Sequence, residues 1–497
     1  MLSWRQRESS VSRSDAPRGG TLRFATRLAL VVIIIAVAVY LVLLSDVNRV
    51  LRWRLGKLHA AGIPTTWAKV APPPVPDKDN AAIIYQQAFK RLDVERRRYR
   101  GISDGECLRN FTADDPPSAR ATLYSRIQQI LARNQAALRL IKQASARPQC
   151  RFPLRWDQSP PAMEFRHLGP LHTCADLLTA EALVAARQGD AAQVTDACRA
   201  AIRMSEHIAS EPTMNSFLFA VRTEGSALGR LPDLLQDADL DPAMCQALFR
   251  ELDGLDFAAC FRRATITQGC ETLWFFDEAK RRPGQVHRLL GDNFGGEYSG
   301  APGIATRAAA SLYMSPLGKL FRLKEEIAFL DTFDEMLALT AKPYRTTAAR
   351  WRALERRTAA APFYYFITDT AAPLRRMITR RDRAIADRNA MQVALALKAY
   401  RVARGEYPAT LNALSAYPGW KLPDDPFSGK PFAYRRIIAQ RAPARPGILE
   451  GRTAPHKGAG FLLYSWGEDL TDDGGRPVPD PPRTYPPDGD IVWVFVK

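Results

Sequence analysis

Apolar positions along this chain change their spacing twice, and each regime predicts a different kind of element. The first is continuous: Leu28–Leu44 (LALVVIIIAVAVYLVLL) contains no charged residue. With Phe24–Thr26 ahead of it and Arg27 placed to snorkel, it reaches the roughly 20 residues that a helix needs to cross a bilayer. Ser45-Asp46-Val47-Asn48-Arg49 offers no Ala-x-Ala-like cleavage site, and no cysteine flanks the run. The expectation is an uncleaved signal anchor, a transmembrane helix over 28–45. Arg5, Arg7, Arg13, Arg18, Arg23 and Arg27 precede it, against Arg49, Arg52, Arg54 and Lys57 after it. This excess puts the N-terminus (1–27) in the cytoplasm and the bulk outside the inner membrane, periplasmic or otherwise extracytoplasmic. Ala359–Pro373 is shorter, contains Asp369 and is bracketed by arginines, so no second span is expected.

The second regime is helical. Arg49–Ala61 reads as a short helix stopped by Gly62-Ile63-Pro64. Ala71-Pro72-Pro73-Pro74-Val75-Pro76 follows as an extended polyproline spacer that would hold the body off the membrane, within a juxtamembrane segment and Pro-rich linker over 46–78. Asp79-Asn80 can cap a helix over Ala81–Leu92. Leu123, Ile127, Ile130, Leu131, Leu138 and Ile141 form one stripe over Thr122–Gln143. Leu171–Arg187 and Ala191–Ala209, joined by Gln188-Gly189-Asp190, predict an antiparallel pair. Further helices are expected at Ser216–Arg230, Pro242–Leu252 and Leu320–Leu339, with Gly284–Gly303 as a long loop. Residues 79–372 thus read as a helical domain, repeat-like but without a strict period.

In the last unit, 373–497, a helix that Pro373 can start and Gly405 can end gives way to the third regime, short strand-like runs at Phe432–Ile438, Gly460–Ser465 and Asp490–Val496. The helix carries two apolar stripes, Met391, Leu395 and Val402 beside Val393, Leu397 and Tyr400, so a wide arc of it must be covered. The fold class is mainly α with a small α+β C-terminal domain: one N-terminal transmembrane helix, a helical-hairpin array, and a long helix with an antiparallel sheet. Asp424–Pro431 reads as a turn in which proline and glycine fix the backbone. Between the second and third strands, Gly467–Gly475 clusters acids, and Asp488 and Asp490 return at the strand entry. Carboxylates with backbone carbonyls suit calcium, which takes six to eight oxygens, although the spacing is not that of an EF-hand. Aspartates that merely cap local amides are the alternative.

Ala396–Leu414, Asp425-Pro426-Phe427-Ser428-Gly429, Phe432-Ala433-Tyr434, Gly460–Ser465 and Gly489-Asp490-Ile491 occur in an order that resembles the C-terminal domain of the type II secretion major pseudopilin. The resemblance implies a pilin-like helix covered by the sheet and one Ca2+ in the acidic loop. Asp469, Asp488 and Asp490 match its ligand positions best, with Asp472 and Asp473 as helpers and the Leu470 carbonyl as a further ligand. The chain lacks the family's N-terminal assembly helix with its leader and cleavage point, so it is not expected to polymerise.

Charge and candidate chemistry narrow this further. The net charge of +18 is spread along the chain without a nucleic-acid-binding signature, so no nucleic-acid partner is expected. Arg49–Lys57 is the stretch placed to meet anionic lipid. Seven cysteines, Cys107, Cys150, Cys174, Cys198, Cys245, Cys260 and Cys270, are widely spaced; Cys107–Cys150 or Cys260–Cys270 could pair, but small buried side chains are the simpler expectation. Gly101-Ile102-Ser103-Asp104-Gly105 matches GxSxG, yet the arginine-rich stretch before it is no buried strand, so Ser103 is expected in a polar loop. His167, His172 and Cys174 lack helical metal spacing and a fourth ligand. No catalytic residue is assigned. The expectation is a membrane-anchored binding or scaffolding module with an envelope protein as partner. Two alternatives remain: an accessory component of a type II secretion-like system, and a hydrolase built around His167, His172, Glu164 and Arg166 or around a histidine brought beside Ser103.

Overall fold

A computed structural model of the chain describes residues 18–94, 103–110, 117–282, 311–360, 374–415, 419–438, 459–479 and 487–496. The basic N-terminal residues before Arg18, the arginine cluster at 96–100, the loop expected over Gly284–Gly303 and the apolar stretch 361–373 lie outside them. The protein is mainly helical, with one long apolar helix at the N-terminus and a small three-stranded antiparallel sheet at the C-terminus.

The apolar run and the segment after it form one helix, α1 (Arg18–Ala60), where two were expected. Ser45–Arg49 holds neither proline nor glycine, so nothing there interrupts the hydrogen-bond ladder. By length and composition α1 is able to cross a membrane, and its most apolar stretch is not buried inside the protein. Burial begins toward its C-terminal half, where Leu44, Val47, Leu51, Leu55 and Leu58 recur at intervals of three and four residues and join the main core. Their partner is α12 (Lys319–Thr340), to which Arg54–Asp331 (2.8 Å) and Lys57–Asp334 (2.6 Å) add ion pairs.

The segment just before the expected Ala71–Pro76 spacer is docked on the body. A short 3-10 turn, Trp67–Val70, buries Trp67 and Val70 in a second cluster with Trp156, Met163 and Cys270. The Cys270 thiol donates to the Pro64 carbonyl at 3.0 Å. Two large apolar side chains just before the prolines gain more from burial than a free linker would retain.

The body comprises α2 (Ala81–Phe89), α3 (Asp104–Asn110), α4 (Pro117–Arg133), α5 (Gln135–Ser145), α6 (Leu168–Gln188), α7 (Ala191–Ser210), α8 (Met214–Leu228), α9 (Leu231–Asp237), α10 (Pro242–Leu252), α11 (Phe257–Arg281), α12 and α13 (Tyr344–Ala359). Asn80, Asp190, Thr213, Asp241 and Asp256 cap five of these, each accepting an amide of the first turn. Gly189 at φ 75° closes α6 and reverses the chain into α7, the hairpin that the short connection predicts. The single helix expected over Thr122–Gln143 is two. Asn134, fully buried, accepts the Asp93 amide and donates to the Asp93 and Ile130 carbonyls. The side chain thus takes over backbone bonding at the break between α4 and α5.

In the tail, α14 (Leu374–Arg404) leads through α15 (Asn412–Ser415) to β1 (Ala433–Ile437), β2 (Gly460–Ser465) and β3 (Ile491–Val496), ordered β1-β2-β3 with Gly460 opposite both Ile437 and Val496. Helices α8, α10, α11 and α13 cover more of α14 than the sheet does. Arg388 of α14 forks onto Glu224 of α8 with two 2.7 Å bonds, both residues being buried. Lys398 donates to the Leu235 and Ala238 carbonyls, and Arg381 to those of Thr340 and Lys342. One contiguous apolar cluster runs from Leu51 to Phe495. All seven cysteines are free, six of them buried, so neither Cys107–Cys150 nor Cys260–Cys270 is formed.

Candidate functional site

The acidic loop is shaped by two glycines. Gly467 (φ 72°) turns the chain out of β2 and Gly489 (φ 124°) turns it into β3; a Cβ on Gly467 would lie 2.7 Å from the Gly489 carbonyl oxygen. Only glycine tolerates both the backbone angles and the approach, which brings the two ends of the loop side by side. The Asp469 carboxylate then accepts the Gly489 amide at 3.0 Å and the Thr471 amide at 3.1 Å. Asp490, almost fully buried, accepts the amides of Gly475 (2.6 Å) and Asp473 (3.3 Å). Burial pushes the Asp490 carboxyl up, those two amides pull it down, and the neighbouring Asp472 and Asp473 carboxylates add a further upward push.

Through this folding Asp469, Asp473 and Asp488 each bring one carboxylate oxygen to within 4.8 Å of the others, a group that could hold a metal ion. Asp473 thus stands with Asp469 and Asp488 where the resemblance points to Asp490, which instead organises the loop backbone. Asp472 accepts the Gly474 amide at 3.0 Å, and Leu470 occupies the left-handed corner at φ 65° with its side chain packed on the core. Arg476 pairs with Asp473 at 2.6 Å and approaches Asp488 at 4.0 Å. The Asp473 Oδ2 atom is buried without a hydrogen-bond partner. The Asp424–Pro431 turn is fastened to the same strand: Asp425 accepts the amides of Phe427 and Ser428 and the hydroxyl of Ser465.

The second region of interest is a cleft of about 640 Å³ whose lining includes Gln86, Phe89, Phe152, Arg155, Arg166 and His167. The His167 ring stacks on Phe152 (4.2 Å between centroids), and its Nε2 lies 3.2 Å from the Glu211 carboxylate. Beyond them a cavity of about 20 Å³, room for one water, also touches His207. His207 meets the Tyr85 hydroxyl and the Arg147 carbonyl, and burial holds its pKa down at about 4. His172 faces away toward Asp176 at 3.9 Å, and Cys174 is wholly buried. The two histidines and the cysteine do not converge. Glu211 and His207 carry no local sequence signal: α6 and α7 had to pair before they met His167 and Phe152.

Ser103 is a helix cap. Its hydroxyl accepts the Glu106 amide while the Glu106 carboxylate accepts the Ser103 amide and hydroxyl. The Ser103-Asp104-Gly105-Glu106 spacing is a capping box and could have been read as one from the sequence. Asp104 is buried against Arg126 and Arg133. Neither a family model, nor a curated protein, nor a solved structure matches the chain.

Proposed function

We propose that this is a membrane-anchored envelope protein acting as a binding or scaffolding module, with a pseudopilin-like C-terminal region stabilised by calcium. The observation that carries the reading is the convergence of Asp469, Asp473 and Asp488. Oxygens up to 4.8 Å apart can flank an ion bound at about 2.4 Å, a calcium–oxygen distance. The unpartnered Asp473 Oδ2 gives such an ion a ready ligand, and Arg476 partly balances the acids in its absence. Backbone carbonyls and water would complete the shell. An ion there would tie the exit of β2 to the entry of β3, so its role is structural.

The test is thermal unfolding of the full chain in detergent, with calcium and with chelator, for the parent, Asp469→Ala and Asp473→Ala. A calcium-dependent rise in Tm, lost in both variants, is expected; a site saturated at 100 times its Kd adds about 2.7 kcal/mol. An unchanged Tm in metal-stripped protein would reduce the loop to a surface turn. Within this reading, the long helix and three-stranded sheet also suit an accessory role in a type II secretion-like system, which co-purification with secretion components would test. A hydrolytic alternative has one observation in its favour, the His167–Glu211 pair in the cleft, where Glu211 could orient the imidazole to activate a water. Ester or amide turnover lost in His167→Ala would support it.

A further inference from the structure

The described segment 311–318 leads into α12 and ends in a 3-10 turn, Pro316–Gly318. It presents two large apolar side chains to the outside, Leu312 at 48% and Leu317 at 68% exposure. The turn is held firmly from below. Ser315 caps it by accepting the Gly318 amide, and the buried Arg322 guanidinium donates to the Tyr313 and Ser315 carbonyls. The Tyr313 hydroxyl in turn donates to Glu325. A Cβ on Gly318 would fall 2.2 Å from the Tyr313 carbonyl oxygen, so the backbone is packed too closely for another residue. A segment this well fastened does not expose two leucines through looseness.

Its position along α1 explains them. The Tyr40 hydroxyl donates to the Pro316 carbonyl at 3.4 Å. Tyr40 lies inside the apolar run, four residues before Leu44, or about 6 Å along the axis at 1.5 Å per residue. If α1 crosses a bilayer with Leu44 at the edge of the hydrocarbon, the turn beside Tyr40 lies below that edge. Depths of about 5–10 Å are where interfacial apolar side chains reside. The Tyr40–Pro316 contact sets the turn that carries Leu317 beside the exposed apolar stretch of α1, and the exposed Lys319 follows Leu317 two residues later, placed to meet lipid headgroups.

We infer that Leu312 and Leu317 form a wedge inserted into the outer leaflet of the same membrane that α1 spans, so that the body rests on the lipid surface at two points. This rests on the reading of α1 as an anchor, and the experiment separates the two. The full chain is reconstituted in a bilayer of phosphatidylcholine and phosphatidylglycerol, with a nitroxide attached to Leu317→Cys, Ile35→Cys or Val402→Cys. Each position is exposed, so substitution leaves the core intact, and the parent carried through the same labelling gives the background from half-buried Cys150. Collisional access is compared for oxygen, which partitions into lipid, and a water-soluble nickel chelate. The oxygen-to-nickel ratio is expected to be highest at Ile35 and several-fold higher at Leu317 than at Val402. A high ratio at Ile35 with Leu317 equal to Val402 overturns the wedge and leaves the anchor standing. Low ratios at all three sites overturn both.

Discussion

At the scale of single residues, the groups held in the uncommon charge state say most about how the fold is balanced. Glu206 has its pKa raised to about 7, first by burial, with Arg388 opposing and Glu224 assisting the shift, and its Oε1 has no hydrogen-bond partner. A carboxyl raised from 4.5 contributes stability that is fully present below pH 4.5 and lost as pH rises through about 7. Glu206→Gln should therefore be more stable than the parent at pH 8, by roughly 1–2 kcal/mol once partial solvation is discounted, with the gap closing toward pH 4.5. Denaturant titrations at the two pH values measure it. In the acidic loop, Arg476 competes with any cation for Asp473. Arg476→Gln should tighten calcium binding several-fold in calorimetry; unchanged or weaker affinity would argue that the ion, if bound, sits away from Asp473.

At the scale of elements, contacts between helices are where the sequence is least informative and substitutions most telling. Gly269 of α11 has the Phe333 ring of α12 only 2.3 Å from where a Cβ would stand. Gly269→Ala, although it raises helix propensity, should destabilise the protein by about 1–3 kcal/mol through overpacking. The Arg388–Glu224 pair is buried on both sides, so Glu224→Ala should cost about 3–5 kcal/mol by stranding the guanidinium, a loss that equilibrium unfolding would register. Neither position announces itself in the sequence. The α6–α7 hairpin, the long α14 and all three strands were legible, because stripe spacing, Gly189, Gly405 and dense β-formers are local signals. The break at Asn134, the continuity of α1 and the covering of α14 by body helices were not. Two of these depend on a partner distant in sequence, Asp93 for Asn134 and Glu224 for Arg388, whereas the continuity of α1 rests on the lack of any helix breaker in Ser45–Arg49. The acidic loop lies between. Its composition marked the site, but which carboxylates converge follows from the crossing of Gly467 and Gly489.

At the scale of the whole molecule, burial pushes histidines and carboxyls in opposite directions. Burial holds His172 and His207 near pKa 4, whereas it raises Asp176 to about 6 and Glu206 to about 7. As pH falls through 6.5, the unfolded chain takes up protons that the two folded histidines refuse, which lowers stability. Over the same interval the folded carboxyls take up protons that the unfolded ones do not, which raises it. The parent should show a shallow stability profile from pH 5 to 7, and His207→Gln should gain on it as the solution is acidified. Thermal unfolding at stepped pH distinguishes this from a uniform loss. The unbroken α1 has a consequence of another kind. A protein tethered by a pliant stalk can swivel and search a volume of solution, but here the helix that emerges from the apolar run is itself part of the core. With α1 in a bilayer, the body has neither reach nor free rotation. Any partner would then have to come to the membrane and meet it at a set height, and any tilt of the anchor would become a tilt of the entire molecule, transmitted as by a handle rather than lost as along a string.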